Sequence, residues 1–201
     1  MSDAFRPRLI LASASPRRLD LLTGAGLTPD QVAPTHIDES EIPGETPGEL
    51  ALRLAQEKCA ASPVEDAFVL AADTVVGAGR RILPKTEDES EARRCLSLLS
   101  GRNHRVFTGV AVRAPDGAMA SRLVETRVKF KALSEPEIAA YLACGEWRGK
   151  AGGYAIQGRA GCFVVQLVGS YTGVVGLPLY ETANLLSGLG YPVIEGIACN
   201  A

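Results

Sequence analysis

The chain has 201 residues, 46% of them hydrophobic, and 21 Lys and Arg against 23 Asp and Glu leave a net charge of −2. That is enough chain to bury a sizeable core as one large domain or two small lobes. It carries too little net charge to draw nucleic acid or anionic lipid by a global field, so any phosphate chemistry rests on locally concentrated Lys and Arg.

The opening Met-Ser-Asp-Ala-Phe-Arg-Pro lacks the apolar core of a signal peptide, and no apolar run approaches a membrane span. A cytoplasmic location is the expectation. Residues 8–13 read as a buried strand, and Ser15-Pro16 opens a helix that ends near Gly24 or Gly26, with Ser as N-cap and Pro at the first helical position. Thr46-Pro47-Gly48-Glu49 is a capping box that starts a second helix, running to about Ala61. Residues 68–76 are almost continuously apolar and read as a central strand buried on both faces.

Residues 88–100 form an amphipathic helix. Residues 105–114 and 121–131 flank Pro115-Asp116-Gly117 and predict a β-hairpin. In its second strand Val124, Thr126, Val128 and Phe130 alternate with charged residues, so one face is buried. Ser134-Glu135-Pro136-Glu137 caps a helix to about Cys144, residues 162–168 read as a strand, and a last helix spans 178–187. A hairpin together with helical crossovers predicts an α/β protein with a mixed sheet and flanking helices.

The cysteines at 59, 95, 144, 162 and 199 are scattered, odd in number and form no CxxC pair, which argues against a disulfide framework and a zinc site. With only His36 and His104, a His-rich metal centre is excluded. A metal used by this chain is a hard cation on carboxylates, Mg²⁺ or Mn²⁺.

Four places break the local pattern. Asp73 shares its strand face with Val69, Ala71 and Val75, where a carboxylate is costly without a partner. It is a metal or catalytic group, or else half of a structural salt bridge or a strand-end residue capping a turn. Arg17 and Arg18 stand in the first turn of a helix, against its dipole. An anion on that helix end would draw together free N–H groups, hydroxyls and guanidiniums; the alternative is a capped helix with solvated arginines. Lys58 continues the stripe of Leu50 and Leu54, either snorkelling to the surface or aimed at a buried anion. The stretch 150–158, Lys-Ala-Gly-Gly-Tyr-Ala-Ile-Gln-Gly, combines glycines with Gln157, whose amide has one donor and one acceptor for a base edge. Its alternative is a plain Gly-rich connection.

With these residues in hand the chain resembles the Maf family of nucleotide pyrophosphatases, from about residue 8 to residue 190. The motifs occur in family order: 9–18 (Leu-Ile-Leu-Ala-Ser-Ala-Ser-Pro-Arg-Arg), 37–39 (Ile-Asp-Glu), 55–58 (Ala-Gln-Glu-Lys), 72–76 (Ala-Asp-Thr-Val-Val), 99–102 (Leu-Ser-Gly-Arg), 150–158, and 175–179 (Val-Gly-Leu-Pro-Leu). The form at 150–158 is similar to the subgroup acting on dTTP and UTP. A departure lies at 82–86, with Pro84 where a small residue is usual and Thr86 where Pro is common.

The resemblance implies a single domain over residues 1–201, similar to inosine triphosphatases, with two lobes around a cleft, and a homodimer. It implies hydrolysis of a nucleoside triphosphate to the monophosphate and pyrophosphate. Ser13, Arg17, Lys58 and Lys85 would bind phosphates. Glu39 and Asp73 would hold Mg²⁺ or Mn²⁺, with Asp73 also the proposed general base. Arg18, Thr74 and Gln157 would select the substrate. Pyrophosphatases for 7-methyl-GTP or methylated pyrimidine triphosphates, and a nucleotide-binding regulator of cell division, are the alternatives.

Overall fold

The structure, a computed structural model, describes residues 6–194. The opening five residues and Cys199, both weighed above, lie outside that range. In chain order the elements are β1 (Leu9–Leu11), α1 (Pro16–Gly24), β2 (Gln31–Val32), α2 (Pro47–Ala60), β3 (Phe68–Ala78), β4 (Arg81–Leu83), β5 (Lys85–Thr86), α3 (Glu89–Leu99), β6 (Asn103–Arg113), β7 (Met119–Phe130), α4 (Glu135–Cys144), β8 (Lys150–Ala151), β9 (Val164–Val168), α5 (Tyr171–Val175) and α6 (Leu179–Gly188). Seven strands form one sheet in the order β2-β1-β3-β6-β7-β9, with β4 also paired to β3; β5 and β8 form a separate ribbon. The β1–β2 and β1–β3 pairs are parallel and the others antiparallel, so the sheet is mixed as expected.

The strand expected at 162–168 starts later. A 3-10 turn occupies Arg159–Phe163, and β9 begins at Val164, where pairing to Phe130 becomes available. The short β2, β4, β5, β8 and α5 were not anticipated. Elements of two to five residues are too brief to show a period.

Period-2 alternation along β3 sends its residues to opposite faces. Val69, Ala71 and Val75 pack beneath α2, whereas Leu70 and Ala72 join a core with Leu22 of α1 and Leu185 of α6. A further cluster fills the space under α3 and α4, with Leu96, Phe130, Ile138 and Trp147. Helix α2 lies close on the sheet because residue 109 of β6 is glycine. A Cβ at Gly109 would overlap the Ala51 carbonyl of α2. That close seating matters because Gly109 is the register partner of Asp73.

One edge of β3 is left open. Strand β1 accompanies it only as far as Leu70, and β4 joins from Val76. Between those pairings β3 has no strand neighbour on that edge among the described residues. The β1–α1 junction and the loop to Lys85 border this gap.

Candidate active site

The gap gathers charge from four elements. Asp73 lies within it, 1% exposed, on the face beneath α2. Lys58, in the last turn of α2, is 8% exposed rather than snorkelled to the surface, and its Nζ donates to Asp73 Oδ1 at 2.6 Å. The same Nζ lies 2.6 Å from Glu39 Oε1. Lys85 completes the group, donating to Glu39 Oε2 at 2.7 Å with Nζ 3.6 Å from Asp73 Oδ1. Partial burial pushes the Glu39 carboxyl up, but hydrogen bonds and charge from Lys58 and Lys85 overcome it and hold the pKa at about 2. Glu39 therefore stays ionised at neutral pH.

The β1–α1 junction closes the other side. Ser15 occupies the N-cap position, but its side chain makes no capping bond. Its backbone N–H instead donates to Ser13 Oγ at 3.2 Å. The expected side-chain cap is thus replaced by a turn around Ser13, which leaves the end of α1 available to an anion. Arg18 donates to Ser13 Oγ at 2.9 Å and to the Gly176 carbonyl at 2.8 Å, which aims its guanidinium across the gap. Burial pulls both Arg17 and Arg18 below the usual guanidinium value; Arg18 adds to the effect at Arg17, while Asp73 and Glu39 oppose it at Arg18. Both remain charged at any ordinary pH. Among the described residues neither has a carboxylate within ion-pairing distance.

Ser13, Arg17, Arg18, Glu39, Lys58, Asp73 and Lys85 all line one cavity of about 420 Å³. A smaller cavity of about 60 Å³ adjoins it through Arg17, Arg18 and Lys85, and is lined by Thr74 and Gln157. Thr74 follows Asp73 on the strand and so faces the other way, where its Oγ1 lies 3.1 Å from Thr108 Oγ1. Gln157 is exposed at the rim. The structure thus divides the nine sequence-derived residues between two joined compartments. One is rich in cations and carboxylates; the other is bounded by hydroxyl, amide and apolar groups.

The departure at 82–86 has a local account. Thr86 is fully buried, and its hydroxyl donates to the Trp147 carbonyl at 3.1 Å. Gly149 N donates to the Thr86 carbonyl at 2.8 Å and Gly152 N to the Pro84 carbonyl at 3.0 Å. The β5–β8 ribbon therefore ties Lys85 to the segment that carries Gln157. Two residues at or beside the cavities were given no role above. Lys150 borders both cavities, and its only sequence signal was its place at the head of a Gly-rich stretch. Thr108 meets Thr74 and donates to the Gly173 carbonyl at 2.8 Å, and nothing in its own strand distinguishes it.

A divalent cation fits this donor set. Asp73 Oδ2 is buried without a hydrogen-bond partner, and Glu39 offers a second carboxylate on the same ammonium. No group of three or more His, Cys, Asp or Glu suited to a metal occurs among the described residues. Two carboxylates match the way Mg²⁺ is held beside nucleotide phosphates, with the remaining ligands supplied by phosphate and water.

Comparison with known proteins agrees in chemical class. Residues 8–189 match the family model described as Maf-like protein. A dTTP/UTP pyrophosphatase of Maricaulis maris is 80% identical over 189 residues, covering 94% of this chain and 91% of that protein. One from Caulobacter vibrioides is 64% identical over 187 residues, covering 92% and 97%. Among solved structures, the Staphylococcus aureus Ham1 protein overlaps 61% of this chain and 71% of its own at 14% identity and a TM-score of 0.42, a partial likeness from which no chemistry follows.

Proposed function

The chain belongs to the Maf family, and from that premise we propose that it is a nucleoside triphosphate pyrophosphatase that hydrolyses dTTP and UTP to the monophosphate and pyrophosphate. One observation carries the reading. A buried carboxylate with a free oxygen, Asp73 Oδ2, lies in a cavity that also holds Lys58, Lys85, Arg17 and Arg18. A triphosphate needs its charge neutralised before a nucleophile can approach phosphorus, and fixed cations do this best in a partly dry site.

In the proposed reaction, water oxygen attacks the α-phosphorus and the bond to the bridging oxygen breaks. Its electron pair leaves with pyrophosphate. Asp73 takes the water proton at Oδ2, while Lys58 holds the carboxylate in place through Oδ1. Lys85, Arg17 and Arg18 bind phosphate oxygens at the mouth, with Ser13 as a hydroxyl donor. Glu39 and Asp73 would hold Mg²⁺ or Mn²⁺, which when bound supplies Lewis-acid stabilisation of phosphate charge. Gln157 pairs with O4 and N3–H of uracil or thymine, and Arg18 and Thr74 shape the adjoining compartment.

The chain acts as one domain with the site in the cleft, in the cytoplasm and as a homodimer. No helix among the described residues is long and apolar enough to cross a membrane, and exposed Val165, Val168 and Tyr171 offer apolar surface to a second copy.

Pyrophosphate release with Mg²⁺ or Mn²⁺ from dTTP, UTP, 7-methyl-GTP, ITP and the common triphosphates tests this reading. Strong turnover of dTTP and UTP is expected. Turnover confined to another base would overturn the assignment of Gln157, and none at all would make the chain a nucleotide-binding regulator.

A further inference from the structure

His104 lies outside the charged cluster, yet it touches the segment that carries Gln157. It is 2% exposed on β6, opposite Val128 of β7. Its Nε2 lies 2.8 Å from the Tyr154 hydroxyl. Their rings meet edge-on with centroids 5.4 Å apart, and Phe130 packs edge-on against both, at 4.9 Å from each. His104 Nδ1 has no hydrogen-bond partner among the described residues, so Tyr154 is its one polar contact there. Burial keeps the imidazole neutral at working pH, pushing its pKa down to about 4. A neutral ring holds one N–H and one lone pair, which allows a directional bond to a hydroxyl.

The far end of this contact needs such an anchor. Gly152 and Gly153 adopt left-handed φ of 70° and 71°, a conformation glycine reaches freely, so the backbone entering residue 154 is not restrained by side chains of its own. Strand β8, just before them, is only two residues long. Beyond them two hydroxyls hold the chain. Tyr154 is tied to β6 through His104, and Ala155 N donates to the Tyr141 hydroxyl of α4 at 3.0 Å. Tyr154, Ala155, Ile156 and Gln157 then line the smaller cavity in succession. An ordinary core histidine would stabilise the sheet alone. This one joins the sheet to the wall that faces the base.

We propose that His104 is a positioning residue for base recognition, acting through the Tyr154 hydroxyl on the segment that presents Gln157. The inference rests on the dTTP/UTP pyrophosphatase reading. Its consequence is selective, because Ser13, Arg17, Arg18, Lys58 and Asp73 come from β1–α1, α2 and β3, and Lys85 is held by the β5–β8 pairing that precedes Gly152 and Gly153 rather than by this bond.

The test compares the parent chain with His104→Phe, Tyr154→Phe and His104→Gln. It measures KM and kcat for dTTP and UTP, the inhibition constant of inorganic pyrophosphate, and thermal midpoints. Loss of the buried bond raises KM for both nucleotides about tenfold in His104→Phe and Tyr154→Phe, with little change in kcat. Pyrophosphate inhibition stays at the parent value. His104→Gln, which retains an amide N–H for the tyrosine oxygen, recovers most of the loss. If His104→Phe fails to fold, Tyr154→Phe decides, since it keeps the ring and deletes only the hydroxyl. Unchanged KM in folded Tyr154→Phe, or equal losses in nucleotide and pyrophosphate binding, would overturn the positioning role. A parent chain inactive on dTTP and UTP would overturn the functional reading and this inference with it; an active parent with indifferent variants would overturn the inference alone.

Discussion

Removing Lys58 should destabilise the fold more than removing the carboxylate it serves. Asp73 is 1% exposed and its Oδ1 accepts from Lys58 at 2.6 Å, so Lys58→Met leaves a buried carboxylate without its main counter-charge. Breaking one side of a buried ion pair costs about 3–5 kcal/mol. Lys85 Nζ at 3.6 Å is a weaker substitute partner, which puts the expected loss near the lower end, about 3 kcal/mol. For a chain of this length that corresponds to a fall in Tm of roughly 6–12 °C.

Asp73→Asn should cost far less. It removes the buried charge, keeps an oxygen for Lys58, and leaves that lysine paired with Glu39 at 2.6 Å. In Lys58→Met/Asp73→Asn the uncompensated charge is gone, so the double variant should be more stable than the sum of the singles by about 2 kcal/mol. Urea and thermal unfolding of the four chains at pH 7 measure each corner of the cycle. A Lys58→Met midpoint within about 2 °C of the parent, or additive losses, would refute the claim that Asp73 depends on Lys58 for its charge.

Gln157→Ala should lower kcat/KM for dTTP and UTP by roughly 10- to 100-fold while pyrophosphate inhibition is unchanged, and equal effects on both would remove Gln157 from base reading. Chelation of divalent cations should abolish turnover without unfolding the chain, and added Mg²⁺ or Mn²⁺ should restore it. Full activity after chelation would strip Glu39 and Asp73 of their role as cation ligands. His104 also shapes acid stability. Its pKa is lowered by burial from 6.5 to about 4, so below pH 6.5 the unfolded chain binds a proton that the folded chain refuses. Stability should fall by about 3 kcal/mol from this group as pH drops from 6.5 to 4. His104→Gln should flatten that part of the pH profile in urea titrations; an unaltered slope would show that His104 protonates freely in the fold.

Long elements were legible because their signals repeat. The box Thr46-Pro47-Gly48-Glu49 opens α2 as expected, with Thr46 Oγ1 accepting from Glu49 N. Val124, Thr126, Val128 and Phe130 mark the buried side of β7 by alternation. The β5–β8 ribbon carries no such signal, since two residues on each side have no period and Lys85 pairs with Ala151 across 66 positions of chain. Helix α5 begins with a Ser170 cap and ends after five residues, too short for an apolar stripe.

Read from its own residues, without the family resemblance, the site was legible only where a residue violates its own surroundings. Asp73 in an apolar strand and Lys58 in an apolar stripe point at each other because each is a misfit alone, and the structure joins them at 2.6 Å. Glu39 offers no local clue. It sits in an irregular loop among exposed neighbours, and its role as bridge between Lys58 and Lys85 exists only after α2 and β5 have docked. Residue counting also conceals the character of the site, for the chain as a whole is acidic at −2. Within the cavity Lys58 and Lys85 are balanced by Glu39 and Asp73, and what remains is Lys150 together with the pair Arg17 and Arg18, none of them with a carboxylate partner among the described residues. That residual positive charge faces the uncapped end of α1, so the two effects add where a phosphate would dock. Neutral pairing deep in the gap and unpaired arginines at its mouth thus separate two tasks. On the proposed reading the inner cluster would hold a carboxylate in position for proton transfer, and the outer cations would attract the anion on which it acts.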